Sequence, residues 1–288
     1  MSAEYRTDPH THSTVSDGTD TPAELVANAA AAGLDAVGLC DHDTVAGWAP
    51  ALAAGDVYGI RVLRGIEISC AKDGVEIHLL GFGCRPDDAE LTAELARIRA
   101  VRSERVETML GKLAAGGVPI PKEVLMRHVG DSPSIGRPHF ADSMVELGYV
   151  ADRQEAFDNW LADDKPAFVE RYSTPLERGI DLVAAAGGAV VIAHPWGRSS
   201  RGVLDLDYLT GLVGSGRVDG IEVDHNDHDD EARAELRHPL IAAGALITGS
   251  SDYHGSGKKP SYFLGCNTTA VEVVDELDRR IAARGGTW

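Results

Sequence analysis

Two short motifs stand near opposite ends of the chain, His10-Thr11-His12 and Asp252-Tyr253-His254, and each skips one residue in strand-like surroundings. On an extended backbone residues i and i+2 point to the same face, so each motif can offer two ligand atoms to one small volume. Further candidates lie in or just after short apolar runs: His42 within Cys40-Asp41-His42-Asp43, Glu67 within Gly65-Ile66-Glu67-Ile68, His78 within Val75-Glu76-Ile77-His78, and His194 after Val190-Val191-Ile192-Ala193. If all of them serve one cluster of cations, residues from end to end of the chain must converge in space.

The segments around these candidates alternate in character. Asp35 to Cys40, Arg61 to Ser69, Val75 to Phe82, Ala189 to Ala193, Val218 to Val223 and Ala245 to Thr248 read as strands, and amphipathic helices separate most of them. Thr21-Pro22-Ala23-Glu24 predicts a helix start with Thr21 as cap, Pro22 in the first turn and Glu24 in capping-box register, and Gly33 ends that helix. The same pattern recurs at Thr174-Pro175-Leu176-Glu177. Repeated strand–helix alternation implies a parallel sheet, open or closed into a barrel, whose catalytic side chains gather at the C-terminal strand ends. The rhythm breaks between about Pro86 and Lys165, where a long helix begins near Leu91 and no strand follows. The expected organisation is an α/β barrel in two parts, residues 1–98 and 166–288, with a mainly helical insertion domain at 99–165.

The formal charge of −18 argues against a grip on duplex DNA, because affinity for a phosphate backbone comes from Lys and Arg. Cys40, Cys70, Cys84 and Cys266 form no Cys-x-x-Cys pair, which argues against a zinc ribbon or a secreted disulfide framework. With no apolar run of roughly 20 residues and no basic-then-apolar leader, a cytoplasmic protein without membrane attachment is expected. Oligomeric state is not encoded in any pattern of this chain.

His10-Thr11-His12-Ser13, Asp17-Gly18-Thr19, Asp41-His42-Asp43, Gly65-Ile66-Glu67-Ile68-Ser69, His78-Leu79-Leu80-Gly81-Phe82, Ala193-His194-Pro195 and Ser251-Asp252-Tyr253-His254 occur in this order. Together they resemble the polymerase and histidinol phosphatase (PHP) family of metal-dependent phosphoesterases. The resemblance implies a distorted (β/α)7 barrel with a trinuclear site. By position, His10, His12 and Asp252 would hold one metal with Glu67, Glu67 would bridge to a second held by His78 and His194, and Asp17, His42 and His254 would hold a third. Two to three divalent ions are implied, and mixed imidazole and carboxylate ligands suit Mn²⁺, Fe²⁺ or Zn²⁺.

Asp17, where histidinol-phosphate phosphatase-like members usually have histidine, and the helical insertion shift the resemblance towards 3′,5′-nucleotide bisphosphate phosphatases and RNase AM-like 5′→3′ exoribonucleases. Ser132 to Phe140 looks like the insertion motif of that subgroup, and Glu222 to His228 resembles its acidic-histidine loop, with Asp224 and Asn226 departing from the usual residues. The expected reaction is hydrolysis of a phosphate ester of a nucleotide or short RNA by metal-activated hydroxide held near Glu67, with Asp252 and His194 also in the catalytic group. Arg137 and His139 are candidates for a second phosphate, since guanidinium engages phosphate oxygens bidentately, and His228 is a further phosphate contact or proton donor. Asp41 and Asp43 are expected to orient imidazoles. Lys165, Arg171, Arg198, Arg201, Lys258 and Lys259 could form a positive rim, and Trp196 a pocket wall or a core residue. Competing readings are a 5′→3′ exoribonuclease on short RNA, a histidinol-phosphate-type phosphatase, a metal-dependent amidohydrolase and a non-catalytic nucleotide-binding domain.

Overall fold

The computed structural model describes residues 5–197 and 199–288; Arg198 lies outside them. In chain order the elements are β1 (Thr7–Thr11), α1 (Pro22–Ala31), β2 (Ala36–Leu39), α2 (Trp48–Tyr58), β3 (Arg61–Lys72), β4 (Val75–Phe82), α3 (Ala89–Glu104), α4 (Val106–Ala115), α5 (Lys122–Val129), α6 (Arg137–Glu146), α7 (Arg153–Ala156) running into a π-helical turn at Phe157–Leu161, β5 (Thr174–Pro175), α8 (Leu176–Ala185), β6 (Ala189–Ile192), α9 (Leu206–Gly214), β7 (Gly220–Asp224), α10 (Asp230–Ala243), β8 (Leu246–Gly249) and α11 (Val271–Ala283). None of the helices among the described residues is long and apolar enough to cross a membrane.

Seven strands follow one another in the order β1-β2-β3-β4-β6-β7-β8, with the two-residue β5 beside β3. The segment after β8 nearly closes the ring against β1: the Asp252 amide donates to His10 O at 3.0 Å, and the His12 amide donates to Tyr253 O at 2.8 Å. This is the α/β, distorted (β/α)7 barrel that the family resemblance implies. The sheet is not wholly parallel, however. β4 runs antiparallel to both β3 and β6, because Asp73 (φ 51°) and Gly74 (φ 82°) turn the chain straight back after β3. An Asp-Gly pair with positive φ at both positions suits a two-residue hairpin, which displaces the helix that a parallel crossover needs.

Strand alternation divides the barrel wall. On β4 Ile77 and Leu79 face the outer helical layer, while Leu80 and Phe82 join Ala189 and Val191 of β6, Cys40, and Leu277 and Ile281 of α11 in an inner cluster. That apolar plug fills the barrel beneath the inward positions Glu67 and His78, so polar side chains above it rest on a rigid floor.

Local signals are obeyed unevenly. Thr21 caps α1 with both halves of the capping box present. The matching expectation at Thr174 fails: α8 starts without a side-chain cap, and Thr174 instead pairs with Cys70 of β3 while its hydroxyl donates to Glu94. Leu91, Leu95 and Ile98 of α3 pack into the barrel's outer core, whereas α4 to α7 share a separate apolar cluster that includes Val106, Met109, Leu125, Phe140 and Leu161.

Candidate metal centre

Each barrel strand delivers a polar side chain to one end of the ring. β1 carries His10 and His12; the loop after it carries Asp17; the segment after β2 carries His42; β3 and β4 carry Glu67 and His78; and the segments after β6 and β8 carry His194, Asp252 and His254. Because β4 is reversed, His78 sits in its first half rather than at a C-terminal end. Alternation on β6 would send His194 outward with Val190 and Ile192. A φ of 27° at His194 breaks that phase, and Asp252 is held at φ 50° in the same left-handed region. Non-glycine residues adopt this region at a cost on the order of 1–3 kcal/mol, and such strain clusters where side-chain aim matters.

Glu67 is the hub. Its Oε2 lies 3.1 Å from His12 Nε2, 3.1 Å from His42 Nδ1 and 3.3 Å from His10 Nε2. Its Oε1 lies 2.7 Å from His78 Nδ1 and 3.3 Å from His194 Nε2. Asp252 Oδ1 stands 3.3 Å from His12 Nε2, and Asp17 Oδ1 stands 3.3 Å from His254 Nε2. All nine residues singled out as ligands are therefore brought together. Ligand atoms within 4.8 Å of one another form the sets His10-His12-Glu67-Asp252, His12-Asp17-His42-His254, His42-Glu67-His78 and His194-Glu222-His225.

The donor atoms fit divalent cations. His10 Nε2 and His12 Nε2 face each other at 3.0 Å, and two imidazole nitrogens so placed converge as ligands to a common cation would. His12 Nδ1, His42 Nδ1 and Asp252 Oδ1 are buried without a hydrogen-bond partner among the described residues. Burial pushes the Glu67 carboxyl up, but His78, His42 and His10 outweigh it and hold Glu67 well below the usual carboxylate range. Burial, with help from neighbouring imidazoles, pushes His194 and His254 down to about 4 and His42 to about 3. Burial pushes His10 and His12 down as well, but carboxylates outweigh it: Glu222, Glu67 and Asp252 hold His10 well above its ordinary value, and Asp252 and Glu67 hold His12 up to about 9. His42, His194 and His254 are therefore in the neutral form that ligates metal beside ionised carboxylates, whereas His10 and His12 release protons to take a cation.

Two contributors, Glu222 and His225, lie in the 222–228 segment, which the sequence named while giving neither residue a role. Glu222, fully buried on β7, receives His10 Nδ1 at 3.1 Å and the His194 amide at 3.1 Å, and Ser250 donates its hydroxyl to the same carboxylate. His225 Nε2 lies 3.3 Å from Asp252 Oδ2, and its Nδ1 accepts the Asp227 amide. The signal for Glu222 was present: Ile221 and Val223 face the outer core, which turns the carboxylate between them inward. His225 follows the strand's end, where periodicity gives no direction.

Other expectations shift. Asp41 and Asp43 hold loops rather than imidazoles, Asp41 accepting from Ser13 and Ser16 and Asp43 from Ser69 and Arg102. His228 spends both ring nitrogens on backbone, one on the Trp196 amide and one on Val223 O, so it pins a loop and reaches no substrate space. His139 is buried and accepts the Gly136 amide at 3.0 Å, closing the start of α6 away from the cavity lining. Trp196 is a core residue, donating to Leu204 O. Of the expected rim, Lys258 pairs with Asp252, Arg171 is buried against Glu76, and Arg201 pairs with Glu235 at the exposed surface. Arg137 does face the centre's cavity, where it meets Glu76 and Asp163. That cavity, about 1360 Å³ and open to solvent, is lined by the ligand candidates Asp17, Glu67 and Asp252 together with Arg153 and Phe157.

The model of the PHP domain family matches residues 8–285. The chain belongs to the PHP domain family. A 3′,5′-nucleoside bisphosphate phosphatase from Chromobacterium violaceum is 35% identical over 256 residues, covering 87% of this chain and 88% of that protein. A 5′-3′ exoribonuclease from Haemophilus influenzae is 36% identical over 188 residues, 65% of this chain and 68% of its own. A crystal structure of a candidate metal-dependent phosphoesterase from Bifidobacterium adolescentis matches with a TM-score of 0.90 at 34% identity over 96% of both chains.

Proposed function

We propose that this chain, a metal-dependent phosphoric ester hydrolase of the PHP family, acts on a small phosphorylated nucleotide, with a 3′,5′-nucleotide bisphosphate as its main substrate. The observation that carries this reading is the placement of the ligand cluster and Arg137 on one solvent-open cavity large enough for a nucleotide. The phosphatase relative supports the bisphosphate, being similar over most of both chains.

In this reading His10, His12, Asp17, His42, Glu67, His78, His194, Asp252 and His254 hold two to three divalent ions. Ions bound there would neutralise phosphoryl charge and make hydroxide available near neutral pH. Glu67 orders the site by offering each oxygen to a different set of imidazoles. Glu222 fixes the His10 ring and the His194 backbone, so these two residues keep their aim while the cavity fills and empties. Arg137, already in the cavity wall, orients the phosphate that is not cleaved.

The test is phosphate release by protein reconstituted with Mn²⁺, Fe²⁺ or Zn²⁺, using a 3′,5′-bisphosphorylated nucleoside, 5′-phosphorylated short RNA and histidinol phosphate. The bisphosphate should give the highest kcat/KM. Preference for RNA would move the assignment to exonuclease action, which the second relative supports. Release from none of the three would overturn it.

A further inference from the structure

Arg99, Arg102 and Arg105 recur every third residue along α3 and its junction with α4, so they share one helix face. Arg99 donates to Asp43 O, and Arg102 pairs with Asp43 and donates to Ser69. Arg105 differs. It is 7% exposed and lines the same cavity as the metal-ligand candidates, yet its guanidinium has no hydrogen bond or ion pair among the described residues. Arg102, Arg171 and Arg137 act on it electrostatically, and the carboxylate that favours its charge, Glu76, is already engaged by Arg137, Arg171 and His78.

Four largely buried guanidinium groups thus meet three carboxylates, buried Asp43, half-buried Glu76 and exposed Asp163, in a chain whose overall charge is −18. Burial, then Arg102, Arg171 and Arg137, pushes the Arg105 guanidinium down to about 8. A buried cation without a partner is costly, and a charge-assisted hydrogen bond to an entering anion removes that cost. The pocket adjoins the metal centre through Glu76, whose Oε1 lies 3.2 Å from His78 Nε2 and 3.1 Å from Arg171 Nη2.

We propose that Arg105, framed by Arg102, Arg137 and Arg171, is the principal receptor for the second, uncleaved phosphate of the substrate, and that it sets the preference for doubly phosphorylated molecules. Arg137 is a weaker receptor because Asp163 and Glu76 already occupy its donors. This assignment rests on the bisphosphate reading above and can be separated from it.

The experiment follows p-nitrophenyl phosphate hydrolysis by the metal-loaded full chain, with adenosine 3′,5′-bisphosphate as competitor and then as substrate. Arg105→Met, which keeps much of the stem and removes the charge, should raise the competing concentration and the KM for the bisphosphate about 10- to 100-fold. Its kcat should stay within about threefold, and KM for p-nitrophenyl phosphate within about twofold, since a single phosphate does not need the arginine pocket. Arg105→Lys, which retains charge but not the planar fork, should give an intermediate rise and serves as the folded variant if the methionine protein melts early. Equal losses on both compounds, no change in either variant, or no competition by the bisphosphate with wild type would overturn the assignment. Competition sensitive to Arg105 without cleavage of the bisphosphate would overturn the proposed substrate while upholding the subsite.

Discussion

Glu222 Oε1 stands 3.1 Å from Nδ1 of His10, while His10 Nε2 faces His12 at 3.0 Å and Glu67 at 3.3 Å. The carboxylate therefore fixes which nitrogen of His10 carries its proton and which is presented to the cluster. Replacing Glu222 with Gln puts an amide where two acceptor oxygens serve His10, Ser250 and the His194 amide. Metal affinity, measured by competition with a chromogenic chelator, should fall about 10- to 100-fold, the usual cost of losing a carboxylate behind a ligating histidine. Unchanged affinity would show that His10 keeps its aim without Glu222.

Glu67 and Asp252 are the carboxylates on which the most imidazoles converge. Glu67→Gln and Asp252→Asn should each lose hydrolysis by at least about three orders of magnitude, on the order of 4 kcal/mol in transition-state stabilisation. Bound metal, counted by elemental analysis, should fall as well. Chelator should lower the melting temperature of wild type, because ligands that bind only the folded state add about 2.7 kcal/mol at a hundredfold excess over Kd. The Glu67→Gln protein should lose most of that response. A variant that keeps full metal content and full activity would remove Glu67 from the centre.

Much of the site was legible because its ligands lie within apolar or strand-like runs, where a buried polar side chain needs a partner. His10 and His12 share a face by simple alternation, and Glu67 and His78 lie on inward positions of β3 and β4. What alternation could not give is the reversal of β4, which the two-residue Asp73-Gly74 turn decides, or the swing of His194, which depends on one positive φ. Arg105 escaped notice because its neighbours Arg137 and Arg171 are distant in sequence, although the three-residue spacing of Arg99, Arg102 and Arg105 already marked a helix face. His139 and His228 were misread for the converse reason: neither a histidine at a helix start nor one in a polar loop gives a sign that backbone will occupy a ring nitrogen.

Gly38 carries a separate prediction, about how tightly β1 is seated. A Cβ at this position would fall 1.8 Å from Pro9 O and 2.7 Å from Pro9 Cα, both backbone atoms that cannot swing aside. Gly38→Ala must therefore push β2 away from the strand that carries His10 and His12, with Thr11, which donates its hydroxyl to Gly38 O, displaced as well. Overpacking costs typically 1–3 kcal/mol, and the rigid partner here places the expected loss at about 3 kcal/mol or more. The midpoint of urea unfolding measures it, and an unshifted midpoint would mean that β1 and β2 can separate freely.

At the opposite end of the barrel from the metal centre, Asp219 binds α11 to the strands. It is 2% exposed, accepts the Val190 amide at 2.8 Å, and pairs with Arg284 at 2.6 Å and Arg280 at 3.1 Å. Burial pushes its carboxyl up, but Arg284, the Val190 amide and Arg280 outweigh that and hold it below its ordinary value of 3.8. A folded-state value below the unfolded one means that the unfolded chain takes up the proton first, so this contribution is complete above about pH 4 and fades as pH falls through the folded value. Asp219→Asn should cost about 3 kcal/mol at pH 7, because it leaves two partly buried guanidiniums without their anion. Other acids also titrate between pH 5 and 3, so the informative quantity is the difference in unfolding free energy between wild type and Asp219→Asn. That difference should shrink over this range as the unfolded chain's carboxylate takes up its proton, and a gap equal at pH 7 and pH 3 would show that Asp219 acts through packing rather than charge.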